Sequence, residues 1–207
     1  MTKNILAGLF LGVLTLSPCA AHADASASVI NSMSKGYGAF QSYGSQDCWQ
    51  YDSTWGSDTG QQCLVTVKIT IDTFTADGGR PGAFFVGARA GNQTFAAYSP
   101  DGWQPFHGGT PQPAAYAASI PSSITIAVLD NQNICAISGN QPVEVWAGYG
   151  ILTPEKEDAV QYYHSVKNPS IPPDHLRNVY VQNDMRKNNK YWKVLDVPCL
   201  QPPSSFN

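Results

Sequence analysis

Glu155, Glu157 and Asp158 crowd into one short stretch of the chain, and paired carboxylates are the side chains with which glycoside bonds are hydrolysed. They directly follow Thr153 and Pro154, which cap and open a helix. Negative charge in a first helical turn complements the helix dipole without any catalytic part, and that reading takes precedence. Ser32-Met33-Ser34-Lys35 carries the Ser-x-x-Lys spacing of penicillin-recognising enzymes, but the Ser-Asp-Asn and Lys-Thr-Gly segments that complete such a site are missing. The sequence also lacks a Gly-x-Ser-x-Gly elbow, a Gly-x-x-x-x-Gly-Lys phosphate loop and a His-Glu-x-x-His zinc helix. Of the histidines, His107 sits in a glycine-rich loop, while His164 and His175 flank a helix and its proline-rich exit. They read as surface or hydrogen-bonded residues, and no catalytic residue is assigned.

Cysteine chemistry points elsewhere. Cys48, Cys63, Cys135 and Cys199 follow a segment with the layout of a secretory signal: Lys3, an uncharged run from Ile5 to Leu16, and the small-x-small site Ala21-His22-Ala23. Export to an oxidising compartment would pair these four into two disulfides. Four cysteines permit three pairings. Cys48 with Cys63 and Cys135 with Cys199 are preferred, the first because it brackets a polar glycine-rich stretch and the second because it anchors the tail. Each bridge is worth roughly 2 to 4 kcal/mol. Cys19, after Leu16-Ser17-Pro18, suggests a lipoprotein signal instead, but proline is a poor residue before a lipidated cysteine, so soluble export is expected. No cysteine lies at zinc-ligand spacing from another, and Asp47, Asp52 and Asp58 lack the dense oxygen ligands of a calcium loop. No metal and no cofactor are expected.

Aromatic side chains supply a binding chemistry, because rings stack on the C–H faces of sugars and anchor protein contacts. Trp49, Tyr51 and Trp55 stand among Gln, Asp, Ser and Gly, and form the preferred ligand-binding patch, with Trp103 and His107 next. Phe106, Tyr149 and Tyr162 are further candidates. Trp146 and Trp192, flanked by aliphatic strand residues, are expected in the core.

These residues must be held by a scaffold that composition already narrows. The 207 residues are only 13% charged, against about 25% in an average domain, with Gly 18, Pro 15, Tyr 10, Phe 8 and Trp 5, a palette for strands and turns. The formal charge is -3, becoming -4 when Lys3 leaves with the signal, so nonspecific binding to nucleic acid or anionic lipid is not expected. The apolar run of the signal is too short to span a membrane, and no second span is read.

Val65, Val67, Ile69 and Ile71 alternate with Thr66, Lys68, Thr70 and Asp72, the period of a half-buried strand. Further strands are read at 83–88 and 94–98, joined by a hairpin at Ala90-Gly91-Asn92, then at 103–106, 123–129, 143–148, 178–182 and 192–197. One helix is expected from Pro154 to about Asn168, with Ala159, Tyr163 and Val166 on one face, and a weak one over 26–34. The organisation expected is a signal peptide over 1–23, a polar N-terminal arm over 24–62, a β-sandwich domain over 63–200 and an irregular tail over 201–207. The fold class is mainly β: an antiparallel β-sandwich with one short helix.

Three motifs carry a resemblance over about Gly79 to Tyr180. Gly79-Arg80-Pro81-Gly82-Ala83-Phe84-Phe85-Val86-Gly87-Ala88-Arg89, Gly102-Trp103-Gln104-Pro105-Phe106-His107-Gly108-Gly109 and Val143-Glu144-Val145-Trp146-Ala147-Gly148-Tyr149-Gly150 occur in that order. The succession resembles a domain of exported proteobacterial surface or pilus-associated proteins. That resemblance implies a non-catalytic module for binding or adhesion at the envelope or cell surface, with a surface protein or a pilus or envelope assembly as partner, to which the aromatic residues add a glycan. The competing class is a carbohydrate-active hydrolase or carbohydrate-binding protein.

Overall fold

The computed structural model describes residues 25–35, 63–91, 94–133, 138 and 141–197. Residues 1–23, expected as a signal, the candidate binding residues Trp49, Tyr51 and Trp55, and Cys48, Cys135 and Cys199 lie outside them. Cys63 opens a strand.

The strands are β1 (Ser26–Lys35), β2 (Cys63–Asp72), β3 (Gly82–Ala90), β4 (Thr94–Ser99), β5 (Gly102–Pro105), β6 (Ala115–Ala117), β7 (Ser123–Asn133), β8 (Val143–Ile151) and β9 (Tyr191–Val197). They form two antiparallel sheets, a small one in the order β1-β2-β7 and a large one in the order β5-β4-β3-β8-β9, with β6 paired to the start of β3. The mainly β, antiparallel fold class expected from the sequence is the one found. Alternation builds the core directly. Val67, Ile69 and Ile71 of β2 are fully buried, as are Val145 and Tyr149 of β8 and Phe84 of β3, and they meet in one cluster with Val86, Val143, Ala147 and Leu195. Residues of the other parity on β3 and β8 point out of the opposite face of the large sheet.

That face carries a third layer, which corrects the expectation of a single helix. After α1 (Pro154–Tyr162) and a π-helical turn at Tyr163–Lys167, a second and longer helix α2 runs over Pro173–Lys187 and packs on β8. The stretch 178–182 is therefore helical rather than a strand. Val179-Tyr180-Val181 has strand-like composition, but Pro173 occupies the first helical turn, Asp174 lies in that turn, and Arg186 and Lys187 lie in the last, all in accord with the helix dipole. Of the three apolar residues only Val181 is buried, packed with Ala83, Phe85 and Leu152.

Two further expectations give way. Residues 26–34 are strand, not weak helix, because β1 pairs along its whole length with β2, Ser26 facing Asp72 and Lys35 facing Cys63. The N-terminal arm thus contributes an integral strand of the small sheet. In α1 the buried residue is Val160, whereas Tyr163 and Val166 are exposed. Thr153 takes the N-cap position with extended backbone and Pro154 the first turn, as expected, but the Thr153 side chain makes no capping hydrogen bond.

The Gly148-Tyr149-Gly150 segment explains how α2 lies so close to the sheet. Tyr149 points into the sandwich, and the glycines on either side of it point at the helix. A Cβ on Gly150 would stand 2.0 Å from the Val181 carbonyl oxygen, and one on Gly148 would stand 2.5 Å from the Lys190 carbonyl oxygen. Glycine is needed here for close approach rather than for an unusual φ.

Candidate functional site

Beyond the end of α2 the outer face of the large sheet is uncovered, and a groove of about 470 Å³ opens there. Pleat and register decide what lines it. β3 pairs with β8 so that Gly87 faces Trp146, Phe85 faces Gly148 and Arg89 faces Glu144. On the other side of β3, Gly87 faces Ala97 and Arg89 faces Phe95. The floor is consequently made of small residues, Gly87, Ala97 and Gly148, drawn from three adjacent strands. Rings form the walls: Phe95 and Phe106 with Pro111 on one side, Trp146 and Tyr191 on the other, and Met185 at the helix end.

Several of these rings stand in water. Phe95 is 47% exposed, Tyr191 43% and Trp146 38%, and the Trp146 and Tyr191 rings lie tilted against each other at 6.3 Å. A register shift between Val145 and Trp146, where β8 meets β9, sets this pair. Trp146 is therefore not a core residue, contrary to the expectation from its aliphatic neighbours. Val145 and Ala147 are inward, so the residue between them must point outward.

Two guanidinium groups edge the groove. Arg89 donates to Glu144 at 2.6 Å across the β3–β8 pair, and Lys193 approaches the same carboxylate at 3.7 Å. Arg186, exposed in the last turn of α2, makes no ion pair among the described residues. An apolar trough with a cation at its rim can hold an apolar ligand bearing a negative group.

The sequence-expected residues divide around this groove. His107 is exposed beside it, lining a second hollow with Phe95, Phe106 and Gly108. Trp103 is turned inward: its indole N–H donates to the Val128 carbonyl at 2.8 Å, and its ring meets Tyr98 edge-on at 5.4 Å. Tyr149, a candidate for ligand stacking, is wholly buried, with Trp192 stacked on it at 6.4 Å. Tyr162 is exposed on α1, on a different element from the groove. Trp49, Tyr51 and Trp55 fall outside the described residues. Phe95, Trp146 and Tyr191 were missed, although counting parity from Val143 along β8 places Trp146 on the outer face.

The acidic run behaves as its position at a helix start demands. Glu157 accepts hydrogen bonds from Arg177 on α2, at 2.9 Å from Nε, which together with Gln161 hold its carboxyl down at about 2 despite burial. Glu155 is lowered by the Thr153 hydroxyl and its own backbone N–H. Arg177 is raised by Glu157 and then by Asp174, to which it also donates at 2.8 Å. These ionic contacts join α1 to α2. His164 Nδ1 donates to the Ile171 carbonyl at 2.9 Å and ties the turn between the helices. Among the described residues no three His, Cys, Asp or Glu side chains converge as metal ligands, and no helix is long and apolar enough to cross a membrane.

Compared with protein-family models, curated proteins and solved structures, the chain finds no match in any of the three.

Proposed function

We propose that the chain is an exported, non-catalytic binding module of the cell envelope or surface, which seats an apolar, acid-bearing segment of a partner protein in the groove on its large sheet. The observation that carries this reading is the outward ring pair Trp146 and Tyr191 facing Phe95 across a floor of small residues. Exposed rings around a recess are where a few anchor residues deliver most of an interface's binding energy. Arg186, without an ion-pair partner among the described residues, favours a carboxylate on the occupant. A glycan would need convergent hydrogen-bonding groups along its edges, whereas the lining of this groove is mostly aliphatic and aromatic carbon. Export rests on the signal layout of residues 1–23 and on the pairing expected of the four cysteines.

Gly87 provides a clean test. A Cβ there meets nothing closer than the Ala96 carbonyl oxygen at 3.5 Å, so the position accepts a side chain, and Gly87→Val, checked for native folding by circular dichroism, puts branched carbon on the groove floor. The probe is an array of synthetic peptides that combine Leu, Phe or Trp with Asp or Glu, read beside an array of neutral oligosaccharides. Peptides retained by the native protein and lost by Gly87→Val support the reading. Retention of oligosaccharides alone, or equal retention by both proteins, overturns it.

A further inference from the structure

Lys190 is the only lysine buried among the described residues. Its ammonium lies 2.7 Å from Asp77 Oδ2 and 2.9 Å from Asp184 Oδ2, with side-chain exposures of 6%, 10% and 19% for the three residues. Its Nζ also sits over the Tyr149 ring, 5.3 Å from the centroid. The three come from separate places: Asp77 from the short 3-10 turn after β2, Asp184 from α2, and Lys190 from the junction of α2 with β9. Holding three charges away from water is costly, and an excess of carboxylate makes it more so.

The two carboxylates are held differently. Asp184 accepts the Ile151 N–H on Oδ2 at 3.0 Å and the Asn188 amide on Oδ1 at 2.7 Å. Asp77 Oδ2 accepts the Tyr149 hydroxyl at 2.8 Å, and that hydroxyl is fixed in turn by the Phe74 N–H at 2.8 Å. An amine is thus pressed against one carboxyl that has a positioned donor, with a second carboxylate beside it to move protons.

We propose that Lys190 and Asp77 condense into an intramolecular amide. Asp184 relays one proton from Lys190 to Asp77 Oδ1, leaving a neutral amine against a neutral carboxyl whose Oδ2 remains the carbonyl oxygen. The Nζ lone pair attacks Asp77 Cγ, and the carbonyl electron pair moves onto the oxygen that Tyr149 donates to. Asp184 takes the second proton from nitrogen and delivers it to the carboxyl hydroxyl, which departs as water while the carbonyl re-forms. One N–C bond is made, one C–O bond is broken, one water leaves, and nothing is oxidised or reduced. Three buried charges become one, and burial keeps water from reversing the step. The bond would tie the β2–β3 connection covalently to the start of β9. It is independent of what the groove binds.

Intact-mass measurement of the purified full chain, after thiol reduction and with its N-terminus sequenced, is the test. The expected mass is one water below that of the sequence, with digestion yielding a branched peptide that joins Asp77 to Lys190 and no trypsin cleavage after Lys190. Lys190→Met should restore the missing water. In Asp184→Asn the bond should form more slowly or not at all, while circular dichroism stays native. A full-mass native chain with Lys190 free in the digest overturns the proposal, as does a branch that maps to Asp184. The native-protein measurement decides even if the variants fail to fold.

Discussion

The Tyr149 hydroxyl and the Asp77 carboxylate meet at 2.8 Å in the sandwich interior, joining β8, an interior strand of the large sheet, to the turn that leaves the small one. The same hydroxyl accepts the Phe74 N–H, so one oxygen satisfies a backbone donor and a carboxylate together. Buried polar groups of this kind matter more through the cost of losing a partner than through the strength of any one bond.

Tyr149→Phe keeps the ring and removes that oxygen, so a loss of about 2 kcal/mol in urea unfolding is expected. Tyr149 should also resist alkaline titration. Burial raises it far above the ordinary tyrosine value of 10.0, the Phe74 N–H works against the rise, and Asp77 adds to it. The unfolded chain releases this proton near pH 10.0 while the folded chain keeps it, so the folded state binds more protons above that pH and stability must fall as pH climbs. Tyr149→Phe should show a shallower alkaline decline than the native protein. An unchanged decline would show that this hydroxyl is not held as described.

The glycines of β8 and β3 should respond in opposite ways. Gly150→Ala drives a Cβ into the backbone of α2 at Val181, where no flexible side chain can yield, and should cost at least about 1–3 kcal/mol. Gly87→Ala meets only ordinary contact and should be neutral, or stabilise by up to about 1 kcal/mol through the unfolded chain. Chemical denaturation of the pair checks this. Equal effects would mean that α2 is not seated on Gly150.

Where a pattern is local, the sequence already showed it. The alternation in β2 names its buried residues, Pro154 marks the start of α1, and Gly91, in the left-handed region at φ 57, marks the β3–β4 turn. What escaped depends on contacts between distant segments. Val179-Tyr180-Val181 is helical because glycines on β8 leave room for a helix there, a reason that lies some thirty residues upstream of it. The groove floor takes Gly87, Ala97 and Gly148 from three strands, and nothing local to any of them announces a recess. Lys190 closes the polar, basic stretch from Met185 in the sequence, and only the fold brings it to Asp77.

Acid should weaken the bracket between the helices. Glu157 ionises at about 2 in the folded protein because Arg177 donates to it, against an ordinary value of 4.5 in the unfolded chain. Its contribution is full above pH 4.5 and is lost as pH falls toward 2, since the unfolded chain takes up the proton first. Both side chains are about one-third exposed, so solvent screening holds the contribution to under about 1 kcal/mol. Glu157→Gln should lower neutral stability by that small amount and flatten the acid limb between those pH values. A full native acid limb in the variant would place the responsible carboxylate elsewhere.

Trp146 and Trp192 pair with opposite faces of the same sheet, so their alanine variants should separate binding from stability. Trp192 packs against the sandwich core and stacks on Tyr149, and its removal leaves a cavity beside a wholly buried ring. A loss of about 3 kcal/mol is expected, near the lower end for tryptophan because its ring is only partly buried. Trp146 is 38% exposed at the groove wall, its ring partner is the still more exposed Tyr191, and its removal should cost about 1 kcal/mol of stability. Binding should invert the order: Trp146→Ala should weaken peptide retention by about 1–3 kcal/mol, whereas folded Trp192→Ala should retain peptide nearly as the native protein does. Urea unfolding and titration of one retained peptide give both quantities. If Trp146→Ala proves the more destabilised and binds unchanged, its ring serves the fold and the groove is not the binding site.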